Sequence, residues 1–345
     1  IAVVYFGLEA AGGWGQVMAK TEPSYTSVWR AMSDETFPWT GILIGAPILG
    51  VWYWCTDQFI VQRVLAAKNI AVARRGAIFA GFLKLTPMFL FVLPGVLAYV
   101  LSQGPNPVLE FPLVNGDPAY DSALPVLVMT VLPEGFRGLV IAGLIAALMS
   151  SLSSVFNSCS TLFTMDIYRK YNADATSKEL VSVGRVATVV IILLSLAWIP
   201  VLQSMDGGLF TKLQSLQAYI APPIAAVFLM GILTKRVDGR GAKMALIIGS
   251  ILGLLRLVLE SANLSLPRVL GSFTEMNFLH FAIFLFAIST TVLLLFKDRA
   301  GLQIEDSSRS SLTLSSIQSI KGTKLNAALS VLLVLSILII WYAFS

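Results

Sequence analysis

Gly76-Ala-Ile-Phe-Ala-Gly-Phe-Leu-Lys84-Leu-Thr-Pro87-Met-Phe-Leu-Phe-Val-Leu-Pro-Gly-Val-Leu-Ala-Tyr-Val-Leu101 is an apolar run long enough to cross a bilayer, with one charge at its ninth position. As a helix it rises about 1.5 Å per residue, which puts the Lys84 ammonium roughly 13 Å deep, near mid-membrane. An ionisable group at that depth is costly and is kept where it faces a wet cavity or a partner. The other reading is snorkelling, with the stem along the helix and the head at an interface, but the reach from this depth is poor. Lys84 therefore points to a polar cavity inside a membrane protein.

The composition agrees that lipid is the solvent, with 56% hydrophobic and only 12% charged residues. Further apolar runs at about 1–17, 38–56, 138–165, 182–205, 209–233, 243–259, 278–297 and 326–344 bring the expected crossings to nine. Lipid leaves no backbone group unpaired, so the expected fold class is an all-α polytopic membrane protein. Basic residues fix the orientation. Seventeen of the 24 Lys and Arg lie in or beside the connections 57–75, 166–185, 234–243 and 298–325, which are thereby assigned to the cytoplasm, with Ser345 ending outside. The net charge of +5 follows from this bias and gives no reason to propose nucleic acid as a partner.

Other features exclude more than they propose. Ile1 opens inside an apolar run with no charged region or cleavage site, so the start is not a signal peptide and suggests a piece of a longer protein. Cys55 and Cys159 lie in membrane runs and give neither a disulfide framework nor metal-ligand spacing; packing is their expected role. His280, the only histidine, stands at the entry of a crossing, where an interfacial hydrogen bond is the ordinary role. Three long connections remain: 18–37 and 102–137 outside, the latter expected as an extended cap broken by Pro105, Pro107, Pro112 and Pro118, and the Ser-rich 298–325 inside as a flexible link.

Interrupted crossings are the best pointer to a transporter site, because irregular backbone at depth is tolerated only where it is buried in protein or lines a cavity. The second run carries Gly41, Gly45, Pro47 and Gly50, then Trp52-Tyr53-Trp54-Cys55-Thr56-Asp57-Gln58. Flat aromatic faces beside amide and hydroxyl groups suit a polyol ring, although an interfacial aromatic belt explains them equally. In the sixth run Gln214 and Gln217 share a helix face just before Ala221-Pro222-Pro223. They can grip hydroxyls or bond a neighbouring helix. The fourth run is built of small residues, among them Ala142, Gly143, Ala146, Ala147, Ser150 and Ser151, a composition that favours close helix packing. Its hydroxyls and freed carbonyls would also suit sodium, a hard cation that takes oxygen ligands.

Three blocks now carry a resemblance. Trp52-Tyr-Trp-Cys-Thr-Asp-Gln-Phe-Ile-Val-Gln-Arg-Val-Leu-Ala-Ala-Lys68-Asn69, Ala146-Ala-Leu-Met-Ser-Ser-Leu-Ser-Ser-Val-Phe-Asn157 running to Thr164-Met-Asp-Ile-Tyr168, and Gln214-Ser215 with Tyr219-Ile-Ala-Pro-Pro-Ile-Ala-Ala-Val-Phe228 resemble the sodium/glucose cotransporters of the solute:sodium symporter family. The likeness covers most of residues 1–260. It implies the leucine-transporter-type fold of two inverted five-helix repeats, with residues 1–17 as the last helix of the first repeat, 38–233 as the second repeat, and 243–345 as peripheral helices with the cytoplasmic linker. It also implies sugar contacts at Tyr53 (an inner-gate aromatic), Trp54, Lys84 and Gln214, with Gln217 replacing a smaller hydroxyl residue and Gly50 standing where a polar contact is common. A sodium site follows in the same way from the Ser150 and Ser151 hydroxyls and the Ala147 carbonyl.

The implied function is sodium-coupled uptake of a glucose- or galactose-like sugar across the plasma membrane by alternating access. Sodium is the co-transported ion, sugar and lipid bilayer are the partners, and no covalent chemistry is involved. Alternatives are symport of myo-inositol, an amino acid or a carboxylate, a transport-incompetent sugar sensor, and a retinal-type photoprotein using Lys84. The nine runs and the quoted blocks argue against the last.

Overall fold

Among the described residues, seven helices are long and apolar enough to cross a membrane: Ile70–Leu101, Glu134–Tyr171, Ser177–Leu202, Leu209–Leu233, Gly239–Ser261, Phe278–Leu295 and Lys324–Ala343. They belong to a computed structural model that describes residues 1–114, 116–204, 207–234, 237–261, 268–296 and 323–344. Most of the 298–325 connection, and the basic residues Lys235, Arg236, Lys297, Arg299, Arg309 and Lys321, lie outside the described residues. The chain is a multi-pass membrane protein built almost wholly of helices.

Two of the expected crossings fold differently. The run 1–17 is not one helix but two, Ala2–Ala10 and Trp14–Lys20, because Gly12 and Gly13 adopt φ of +81° and +92°, a left-handed backbone that ends a helix. The run 38–56 gives only the short helix Gly41–Cys55. Nor is 102–137 simply extended. After a two-stranded ribbon pairing Leu113–Val114 with Asp117–Pro118, the chain forms an apolar helix at Ala123–Val131, whose Leu127 and Val128 are buried. The prolines noted in the sequence all precede that helix, so they do not oppose it.

Proline also explains two widened turns. Gly41–Gly45 and Met88–Val92 are π-helical, and each stands just ahead of a proline, Pro47 and Pro94, whose missing N–H leaves the Leu43 or Leu90 carbonyl without its usual donor. The strain of losing one bond is absorbed by a turn that pairs i with i+5.

The described residues divide into two compact units. In the first, 1–27, 76–200 and 331–345, the two N-terminal helices lie against Leu93–Leu101 round Val3, Val17, Leu97, Leu127 and Val128. The most apolar stretch of its Glu134–Tyr171 helix is wholly unburied, as suits a surface facing hydrocarbon or other protein. In the second unit, 28–75 and 201–330, Ala46–Cys55, Leu209–Leu233, Gly239–Ser261 and Phe278–Leu295 enclose Leu49, Ala218, Tyr219, Ala221, Phe281 and Leu285. Gly45, expected from the sequence as an interruption, serves contact here: a Cβ on it would stand 2.5 Å from the Leu279 carbonyl oxygen.

The loop ahead of Gly41 is fastened to the start of Phe278–Leu295. Asn277 Nδ2 donates to the Glu35 and Thr36 carbonyls at 2.7 and 3.1 Å, while its side-chain oxygen caps the helix by accepting from the Leu279 N–H at 2.9 Å. His280 makes the expected hydrogen bond, with Nε2 2.7 Å from Thr40 Oγ1.

Candidate functional site

The aromatic cluster closes the last turn of Ala46–Cys55. Tyr53 is half-buried and Trp54 exposed, their rings meeting edge to face at 5.6 Å and 89°, with Trp52 6.4 Å beyond Tyr53. The turn is sealed by the Thr56 hydroxyl donating to the Trp52 carbonyl at 2.7 Å, and the next helix starts at once because Asp57 accepts from the Phe59 N–H at 2.9 Å. The aromatic side chains are thus set by a helix end, not by a loop.

Gln214 and Gln217 are half-buried near the start of Leu209–Leu233, three residues apart on one face. This helix packs against Ala46–Cys55 in the second unit, with Leu49 and Ala218 in their shared core. The structure therefore brings four of the five expected sugar contacts onto two neighbouring helices. An arrangement of ring faces and neutral amides can hold a polyol by stacking and by hydrogen bonds in both directions.

Lys84 and the three sodium-site residues belong to the first unit. Lys84 is exposed on Ile70–Pro87, where Pro87 removes the N–H that would bond the Leu83 carbonyl; the Thr86 hydroxyl takes its place, donating at 2.7 Å. Ala147, Ser150 and Ser151 follow the i, i+3, i+4 spacing, so one face of Glu134–Leu162 carries all three, and all are exposed. On the same helix a Cβ on Gly143 would meet nothing within 4 Å among the described residues. The Ser150 carbonyl is engaged by the Ser154 hydroxyl at 3.0 Å. Cys55 is exposed and Cys159 half-buried, so only Cys159 has the surroundings of a packing residue.

One cluster was not anticipated from the sequence. The Tyr219 hydroxyl lies 2.8 and 2.6 Å from the two oxygens of Glu260, and Arg256 Nε donates to Glu260 at 2.7 Å. Arg256 is only 2% exposed. Its Nη2 donates to the Thr274 carbonyl at 3.1 Å and to the Met276 carbonyl, and its guanidinium sits 4.3 Å from the Phe281 ring centre and 5.0 Å from that of Tyr219. The signal was present: an Arg inside an apolar run and a Glu four residues on, just past its end, share one helix face as an ion pair, and Gly249 and Gly253 repeat the same spacing.

A family model described as the sodium:solute symporter family matches residues 10–249. The chain is 45% identical over 239 residues to the human sodium/myo-inositol cotransporter 2, and 43% identical over 282 residues to the mouse sodium/glucose cotransporter 1. These alignments take in 68% and 78% of this chain but 35% and 42% of the relatives, so the chain spans less than half their length. Among solved structures, a Na+-coupled sialic acid symporter in a substrate-bound outward-open state superposes with a TM-score of 0.62 at 23% identity, covering 85% of this chain and 58% of that one. That likeness carries the fold and confirms the leucine-transporter-type architecture expected from the quoted blocks. With a family model matched over most of its length and relatives at this level of identity, the chain belongs to the sodium:solute symporter family.

Proposed function

We propose that the protein of which this chain is part couples the entry of sodium to the uptake of a sugar or sugar-like polyol by alternating access. The observation that carries the reading is that the helix ending in Tyr53 and Trp54 packs against the helix bearing Gln214 and Gln217, which offers ring faces and neutral amides on neighbouring helices. An uncharged, hydroxyl-rimmed solute is what such a lining suits. The relatives named for glucose and for myo-inositol, both polyols with an apolar ring face, agree with it. Lys84 adds a donor for a hydroxyl, and Ala147, Ser150 and Ser151 supply oxygens for sodium.

In this scheme residues 1–17 end the first inverted repeat, 38–233 form the second, and 243–345 are peripheral. The protein lies in the plasma membrane with 57–75, 166–185, 234–243 and 298–325 on the cytoplasmic side, where their Lys and Arg are retained. Sodium binding favours the outward-open arrangement and the sugar then closes it. Each sodium ion crossing with the membrane potential supplies about 2.3 kcal/mol per 100 mV.

The test is uptake of labelled glucose, galactose and myo-inositol by the full-length protein in sodium and in choline medium. Sodium-dependent accumulation of one of these is expected. Binding without flux would instead make the protein a sugar sensor, and uptake indifferent to sodium would overturn the coupling.

A further inference from the structure

Pro222 and Pro223 lack the N–H groups that would bond the Ala218 and Tyr219 carbonyls, so Leu209–Leu233 loses two consecutive helical bonds just after Gln214 and Gln217. A helix interrupted in this way is free to bend at that point unless something outside it holds the segment. The second unit holds it on two levels.

The backbone is gripped first. A Cβ on Gly253 would stand 2.0 Å from the Tyr219 carbonyl oxygen, and one on Gly249 would stand 2.4 Å from Pro223 Cγ, so Gly239–Ser261 presses its bare backbone onto Tyr219 and Pro223. The carbonyl that Pro223 leaves free thus lies against a glycine of the neighbouring helix, where weak Cα–H donation is available. The side chain is gripped next. Tyr219 is tied to Glu260, Glu260 to Arg256, and Arg256 to the Thr274 and Met276 carbonyls at the approach to Phe278–Leu295. Arg256 also lies over Phe281, which meets Tyr219 edge to face at 5.4 Å. A fixed chain of contacts runs from one helix start to the interrupted segment.

From this geometry we infer that Tyr219, Glu260 and Arg256 are positioning residues for solute affinity, which hold the Gln214 and Gln217 amides in register with the Tyr53 and Trp54 rings. The inference rests on the proposed sugar contact of Gln214. None of the three touches the solute. They act through the helix that carries the amides, and they set how much of each amide's hydrogen-bonding capacity is directed at the hydroxyls.

The test compares Tyr219→Phe, Gln214→Ala and the double variant in the full-length protein, measuring uptake of labelled glucose and myo-inositol at saturating sodium, normalised to surface expression. Each single variant is expected to raise the half-saturating concentration of the transported solute by about two- to tenfold, while the maximal rate per surface copy is retained. The double variant should be worse than Gln214→Ala alone by less than the product of the two single effects, since Tyr219→Phe then has only Gln217 left to misplace. Glu260→Gln, which keeps the shape but removes the charged acceptor, repeats the comparison if Tyr219→Phe reaches the surface poorly.

Wild-type half-saturation in Tyr219→Phe, effects that multiply in the double variant, or a lower maximal rate with unchanged half-saturation would each overturn the positioning role and leave the sugar contact standing. Unchanged half-saturation in Gln214→Ala is a different failure: it removes the contact itself, and the positioning role with it.

Discussion

The Thr86 hydroxyl donates to the Leu83 carbonyl at 2.7 Å, filling the place of the N–H that Pro87 lacks. Lys84 lies between these two residues, so the helix around it keeps its bonding although proline interrupts it. A stiff mount is what a long, costly side chain needs if it is to serve a site. Lys84→Met, which keeps most of the stem, should therefore lose most sodium-driven uptake at normal surface expression. Uptake at the wild-type level in that variant would return Lys84 to snorkelling.

Ser150→Ala and Ser151→Ala should each raise the sodium concentration needed for half-maximal uptake, because each removes one oxygen from the proposed sodium site. Both residues are exposed on one helix face and fill no packed interface among the described residues, so neither variant should unfold the protein. The preference among glucose, galactose and myo-inositol should be kept. Sodium activation curves indistinguishable from wild type in both variants would remove the ion site from this face.

Trp54→Ala should weaken the solute and not the ion. A ring face is lost, and stacking on an exposed ring contributes roughly 1 kcal/mol, so half-saturation for the solute should rise by about fivefold at unchanged sodium dependence. Competition by unlabelled sugar against labelled uptake reads this directly. An unaltered competition curve places the cluster in an interfacial belt.

Gly253 and Gly50 form a pair of opposite cases. A methyl at Gly253 would meet the Tyr219 backbone oxygen, which cannot move aside as a flexible side chain can, whereas a methyl at Gly50 meets nothing within 4 Å. Gly253→Ala should cost about 2 kcal/mol or more and lower surface expression and the melting temperature in detergent; Gly50→Ala should change neither. Equal melting temperatures for the two variants would contradict the close approach of these helices.

Asp34 gives a pH dependence outside the membrane. Its carboxyl is held below the usual carboxylate range, chiefly by the Phe37 N–H donating at 2.7 Å, with the Thr36 N–H at 3.0 Å and Arg30 at 3.5 Å adding to it. A lowered folded value means that the stabilisation is fully present above the unfolded value of about 3.9 and is lost as pH falls through the folded one. The melting temperature of wild type should exceed that of Asp34→Asn by a constant amount from pH 7 to about 5. The gap should narrow below about 4. A gap that widens on acidification would reverse the assignment.

The sequence by itself determined the solvent, the membrane crossings that run uninterrupted, the family and the candidate residues, because apolar length, basic loops and ordered motif blocks are local properties. It misplaced what depends on backbone that bends or meets other backbone. Gly12 and Gly13 divided the first run in two through their left-handed conformation, and Leu127 and Val128 found a core that the prolines of the same connection had concealed. Gly45 proved to admit the Leu279 carbonyl, and Gly249 and Gly253 to admit the Tyr219–Pro223 backbone. Only tertiary structure decided that Arg256 is buried, that Glu260 joins it to Tyr219, and that the helices of Trp54 and Gln214 are neighbours. Those facts follow from which helix faces meet, and a chain written in one dimension carries residue spacing along each helix but not the partner against which that spacing is spent.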